Sequence, residues 1–139
     1  MCSKIIINEC GFPEWYESEF IKGKDGGKEW YVNERLHRED GPAIEEKNGD
    51  KYWYINGEYH REDWPAVEYY NGTKIWYLNG KKHREDGAAV ELRNGTKYWF
   101  LNGIEYTEQE YKHRMRSKKL KSIGIWKVSV NGGTSFFKS

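Results

Sequence analysis

The sequence predicts an all-β repeat protein: a single-layer antiparallel meander of stacked β-hairpins, followed by a C-terminal helix and a terminal hairpin cap. Three observations predict it. One 23-residue passage occurs three times, as GKEWYVNERLHREDGPAIEEKNG from Gly27, DKYWYINGEYHREDWPAVEYYNG from Asp50 and TKIWYLNGKKHREDGAAVELRNG from Thr73. A fourth copy starts at Thr96 (TKYWFLNG) and breaks off, and Trp30, Trp53, Trp76 and Trp99 keep the step of 23 without insertion. Inside each copy, short runs rich in β-branched and aromatic residues flank Asn-Gly pairs, the strongest short hairpin signal. A fixed period of this size marks units that bury their apolar surface only by stacking on neighbours.

The length of 139 residues suits one domain or one short capped array. Aromatic residues reach 17% while hydrophobic residues total only 37%, so burial has to come from Trp, Tyr and Phe more than from aliphatic side chains. The net charge is +1, but Lys112 to Lys121 holds six bases and no acid, leaving 17 bases against 22 acids elsewhere. A weakly acidic array therefore carries a basic tail. Cys2 and Cys10 are the only cysteines, too few for a disulfide scaffold and read as ordinary thiols in a reducing compartment. With no apolar run long enough for a signal peptide or a span, the expectation is a soluble, cytoplasmic protein.

Residues 1–26 read as a degenerate N-terminal cap: Ile5 to Ile7 form a short edge strand, and Phe12, Trp15, Tyr16 and Phe20 seal the open end. Residues 27–103 are the hairpin units. With a two-residue type I′ loop at Asn71-Gly72, Val67 lies opposite Trp76, Ala66 opposite Tyr77 and Glu68 opposite Ile75. The same turn is expected at Asn48-Gly49 and Asn94-Gly95, so that Ile44 faces Trp53 and Val90 faces Trp99. One face then collects the Trp ladder with Val67 and Leu78, and is the buried one. The other carries Ile75, Ala66 and a ladder of Tyr31, Tyr54, Tyr77 and Phe100. The second Asn-Gly series, at 56-57, 79-80 and 102-103, begins the connector that runs through His-Arg-Glu-Asp to the next hairpin. At ~4.8 Å per strand, four copies span ~40 Å. Residues 104–139 form the C-terminal cap. Thr107 and Glu110 make a capping box for a helix over about 107–121, with acids in its first turn and bases toward its end, and a hairpin follows over about 123–137.

A 23-residue unit of hairpin and connector, rich in Asn-Gly, Tyr and Trp, resembles the MORN repeat in its variant form, over Gly27 to Gly103. Trp-Tyr-x-Asn-Gly stands where standard units have Tyr-x-Gly. The HREDGPA connector is similar to the arrays of phage, giant-virus and antitoxin-like proteins. The resemblance implies a single-layer sheet with a binding or scaffolding role, no catalysis and no cofactor, and an inhibitor of the phage anti-defence or antitoxin-like kind.

His37, His60 and His83, each followed by Arg-Glu-Asp, supply an imidazole, a guanidinium and two carboxylates, enough in principle for acid–base work or a metal. Three equal copies argue instead for a structural ladder of salt bridges and turn caps, because catalysis needs one unequal constellation. Neither a catalytic nor a metal site is assigned. The expected partner contacts are Tyr54, Tyr77 and Trp64, the last replacing the glycine of Gly41 and Gly87, together with Arg114, Arg116, Lys118 and Lys119. The expected partner is another protein. Nucleic acid bound through the basic tail is the second reading, and a ligand sponge or hydrolase using the His-Arg-Glu-Asp sets is the third. No membrane is expected, and pairing of exposed strand edges would give a homodimer.

Overall fold

A computed structural model describes residues 3–6, 17–22, 25–130 and 133–138, with side chains described over 25–124. Ile7, Phe12, Trp15, Tyr16, both cysteines and the turn at 131–132 lie outside the described residues, as does the side chain of Phe20. The architecture is an antiparallel, meander-like sheet followed by one helix. Along its main path run Ser3–Ile6, Glu17–Lys22, Lys28–Val32, Ile44–Glu45, Lys51–Tyr52, Val67–Glu68, Lys74–Ile75, Val90–Glu91, Lys97–Leu101 and Ile104–Tyr106, each bonded to the next.

The pairing register differs from the expected one by a single residue. Val67 lies opposite Ile75 and Glu68 opposite Lys74, not opposite Trp76 and Ile75. The cause is the turn. Gly72 N–H donates to the Tyr69 carbonyl at 2.9 Å and Tyr69 N–H to the Thr73 carbonyl at 2.9 Å, enclosing three residues. Only Gly72 is left-handed (φ +92°), the mark of a type I turn closed by a glycine bulge. Gly49 and Gly95 repeat it. A one-residue slip carries a strand's side chains to the opposite face. Val67 therefore joins Ile75, in a row that reads Ile44, Tyr52, Val67, Ile75, Val90, Tyr98.

The next row along the same register alternates in sign: Lys28, Glu45, Lys51, Glu68, Lys74, Glu91, Lys97. Each such opposite-charge pair contributes about 0.2–1 kcal/mol relative to alanines. On the other side of the aliphatic row, the indoles alternate with alanines rather than with Val or Ile. The backbone N–H groups of Trp30, Trp53 and Trp76 donate to the carbonyls of Ala43, Ala66 and Ala89, each at 2.8 Å. These alanines are 0% exposed, so no larger side chain fits between the indoles. Burial is thus split between the faces, with Trp76 at 8% exposure on one and Val67 at 2% on the other. The expectation of one buried and one open face is corrected accordingly.

The second Asn-Gly series closes its own short hairpins instead of opening a loose connector. Tyr54 pairs with Tyr59 and Ile55 with Glu58, around Asn56 (φ +51°) and Gly57 (φ +82°). Tyr77–Leu78 with Lys81–Lys82, and Lys97–Leu101 with Ile104–Tyr106, repeat the pattern. With both central residues left-handed, these are the type I′ turns. Asn33-Glu34 takes the same path, with Glu34 at φ +62° where the later copies have glycine. The sheet therefore has two rows of turns, one with three-residue loops and one with two-residue loops.

The helix α1 spans Glu108–Ser122. Thr107 caps it reciprocally with Glu110, acids occupy the first turn, and Lys119 and Lys121 the last. The strands Ile125–Val130 and Gly133–Lys138 pair antiparallel after it.

Candidate functional site

The connector loops are built around their arginines. The guanidinium carbons of Arg38, Arg61 and Arg84 stand 4.0, 4.0 and 3.9 Å from the ring centres of Trp30, Trp53 and Trp76. Arginine suits the position because its flat cation stacks on an indole while its edge still donates. Nη1 donates to the carbonyl four residues on, in Pro42, Pro65 and Ala88, and to Glu45, Glu68 and Glu91 of the charged row. Arg38 and Arg84 also bind Asp40 and Asp86 through Nε, at 2.9 and 2.7 Å. Arg61 and Asp63 form no such pair. Gly41 and Gly87 explain the difference: an added Cβ would meet the guanidinium carbon at 2.9 and 3.0 Å, and Trp64 brings that carbon to the middle loop. The Trp64 side chain stands out into solvent at 65% exposure.

The histidines serve the next copy. Nδ1 of His37, His60 and His83 accepts the backbone N–H of Asn56, Asn79 and Asn102 at 3.0, 3.1 and 3.0 Å. Each imidazole thereby steadies a two-residue turn of the next copy. In the other row, Asp50 and Thr73 accept the N–H of Tyr70 and Arg93, also one copy on. Among the described residues no group of three or more His, Cys, Asp or Glu side chains is placed to hold a metal ion.

Tyr54 and Tyr77 lie half-buried in the two-residue row, and Tyr59 sits between them with ring centres 4.2 Å from Tyr54 and 4.9 Å from Tyr77. Tyr52 adjoins Tyr59 at 6.4 Å and meets Tyr69 edge-on at 6.0 Å. The strip is thus a five-tyrosine cluster rather than a ladder at 23-residue steps, and at its far end Lys82 stands over Phe100 at 4.9 Å. Burial pushes the Tyr52 hydroxyl up to about 12, reinforced by Asp50 and Tyr69. Burial also raises Tyr54, with the Tyr59 hydrogen bond adding to it, and raises Tyr31 and Tyr77. Tyr59, Tyr52 and Tyr69 were not expected here. Reading Asn56-Gly57 as a hairpin would have placed Tyr59 directly opposite Tyr54.

The basic tail is partly used within the chain. Arg114 stacks over Tyr106 at 4.6 Å, Lys112 pairs with Glu108 at 2.6 Å, and Lys118 pairs with Glu85, whose carboxyl it holds below the usual range. Arg116 and Lys119 are exposed. The anchor of α1 is Tyr111, unexpected as a contact: it is buried, and its hydroxyl accepts from Gly87 N–H and donates to the Arg84 carbonyl, both at 3.0 Å. Trp99 is half-buried opposite Tyr106. Among the described residues no helix is long and apolar enough to cross a membrane. Comparisons with protein-family models, curated proteins and solved structures found no match.

Proposed function

We propose that this chain is a non-enzymatic binding protein, an array of 23-residue hairpin units similar to the MORN-variant type and closed by its terminal segments. Its partner is another protein, which it scaffolds or inhibits in the cytoplasm, and an inhibitor of the phage anti-defence or antitoxin-like kind is the concrete form. The observation that carries the reading is the stacked tyrosine cluster around Tyr54, Tyr59 and Tyr77. Rigid aromatic area with polar tips gives contact surface at small conformational cost. Trp64 and Tyr70, at 65% and 73% exposure, add two aromatic side chains that the fold leaves in solvent.

The test is an affinity capture from host lysate with wild-type protein and a Tyr54→Ala/Tyr77→Ala variant shown to fold by circular dichroism. A stoichiometric protein partner captured by the first and lost from the second is expected. Recovery of no such partner, or equal recovery by both, removes the reading. A second reading, nucleic-acid binding, is favoured by the groove along α1 that His113, Arg114, Ser117, Lys118 and Lys121 line. Phosphate contacts would make binding fall steeply with salt, so a flat response in a mobility-shift titration disposes of it.

A further inference from the structure

The loop that receives α1 exists a second time in the same molecule. In the last connector, the Tyr111 hydroxyl bridges the Arg84 carbonyl and the Gly87 N–H, and Lys118, two turns further along the helix, pairs with Glu85. The first connector repeats those residues at Arg38, Glu39, Asp40 and Gly41. It holds the same arginine-on-indole stack, the same Nε bond to its aspartate and the same bond to the carbonyl four residues on. Yet the Arg38 carbonyl and Gly41 N–H find no hydrogen-bond partner among the described residues, and the carboxylates of Glu39 and Asp40 are 59% and 72% exposed. Beside them an open groove of ≈ 650 Å³ lies between this loop and His60, Arg61 and Glu62 of the next one, with Trp53 and Ile55 as its apolar lining. The middle connector is different, because Trp64 stands where the glycine amide would receive a hydroxyl.

We propose that the Arg38–Gly41 loop is a docking site for a basic α-helix of a partner protein, one that presents a tyrosine and, seven residues later, a lysine, as α1 does. The tyrosine hydroxyl bridges the Arg38 carbonyl and the Gly41 N–H, the lysine pairs with Glu39, and the helix flank covers the Trp53 and Ile55 lining. Charge selects a cationic helix, since Glu39 and Asp40 are exposed, Arg38 is committed to Trp30, Asp40 and Glu45, and Arg61 across the groove is committed to Trp53 and Glu68. The occupant comes from another molecule because Tyr111 and Lys118 are already engaged at the last loop. This rests on the protein-binding reading for its natural occupant, but the site itself is tested without one.

The probe is a hydrocarbon-stapled helical peptide of residues 107–122, titrated into the full-length chain and followed by amide-resolved NMR. Saturable binding of one peptide per chain is expected, with the largest shift at the Gly41 amide. Glu39→Lys should weaken binding about tenfold, and Glu105→Lys, exposed on the last strand and outside the groove, should leave it unchanged. Absence of saturable binding overturns the proposal. So do shifts at Gly87 without shifts at Gly41, which would mean that the peptide only displaces the chain's own helix. Should Glu39→Lys abolish peptide binding yet still capture the lysate partner that Tyr54→Ala/Tyr77→Ala loses, the loop site stands and that partner uses the tyrosines instead. Should the peptide fail while the tyrosine-dependent capture holds, the proposal alone falls.

Discussion

The same dipeptide, Asn-Gly, makes two different turns in this molecule. At Asn71-Gly72 only the glycine is left-handed, and the asparagine side chain accepts the Thr73 N–H at 2.8 Å. At Asn79-Gly80 both residues are left-handed, and the asparagine's own N–H is given to His60. The dipeptide alone therefore does not choose the turn. The choice follows from what surrounds it: a polar residue just after the first series, and an imidazole one copy earlier for the second. In the first row the asparagine is useful for its side chain, in the second for its tolerance of positive φ.

The largest effect that separates the rows should come from His83→Ala. It takes the acceptor from the exposed Asn102 N–H and costs about 0.5–1.5 kcal/mol in denaturant unfolding. Hydrogen exchange should quicken at Asn102 and stay unchanged at Arg93, whose N–H is held by Thr73 in the other row. Equal quickening at both would show the two rows to be one mechanical unit. Next come the asparagines. Asn71→Ala and Asn79→Ala should each cost about 1 kcal/mol, the first by losing a hydrogen bond and the second by placing alanine in the left-handed region. Glycine tells them apart: Asn79→Gly should keep most of the stability, whereas Asn71→Gly should not.

Glu34 sharpens the comparison from the other direction, because it holds φ +62° where the later copies have glycine. Glu34→Gly should raise stability by about 0.5–1 kcal/mol, as relief of the left-handed strain exceeds glycine's entropic cost, read as a higher midpoint in the same titration. The smallest effect is alkaline. Tyr52, Tyr54 and Tyr77 have raised folded values, so the neutral hydroxyl favours the fold. Their contribution is fully present below about 10, the ordinary tyrosine value, and is lost as pH climbs toward the folded ones. Absorbance at the tyrosinate band should show Tyr52 ionising near 12, and replacing it by phenylalanine should remove that late step.

Much of this was legible beforehand. The step of 23, the antiparallel sheet and the Thr107–Glu110 capping box follow from spacing and local chemistry, and the helix bounds moved by one residue at either end. The register was not legible, since Asn-Gly serves a two-residue and a three-residue loop equally well, and that one residue decides which face Val67 joins. The contacts between copies were hidden for another reason. His60 meets Asn79 and Thr73 meets Arg93 across neighbouring strands, distances that run along the sheet rather than along the chain. A constant separation of 19 between each histidine and its asparagine was present in all three copies, but only the fold turns that interval into a hydrogen bond. The arginine stacked on each indole, eight residues later, was recorded in the same way.

The side-chain-to-amide ties at the turns all point in one direction, with the accepting side chain in the earlier copy and the amide in the later. Thr96, which holds the place of Asp50 and Thr73 at the end of the three-residue row, is exposed, and among the described residues no amide donates to its hydroxyl. A tandem duplication that inserted one more 23-residue cassette upstream of it would bring its own histidine and its own threonine. It would demand no compensating mutation elsewhere, so the reach of this surface is adjustable in whole increments by the simplest of genetic accidents.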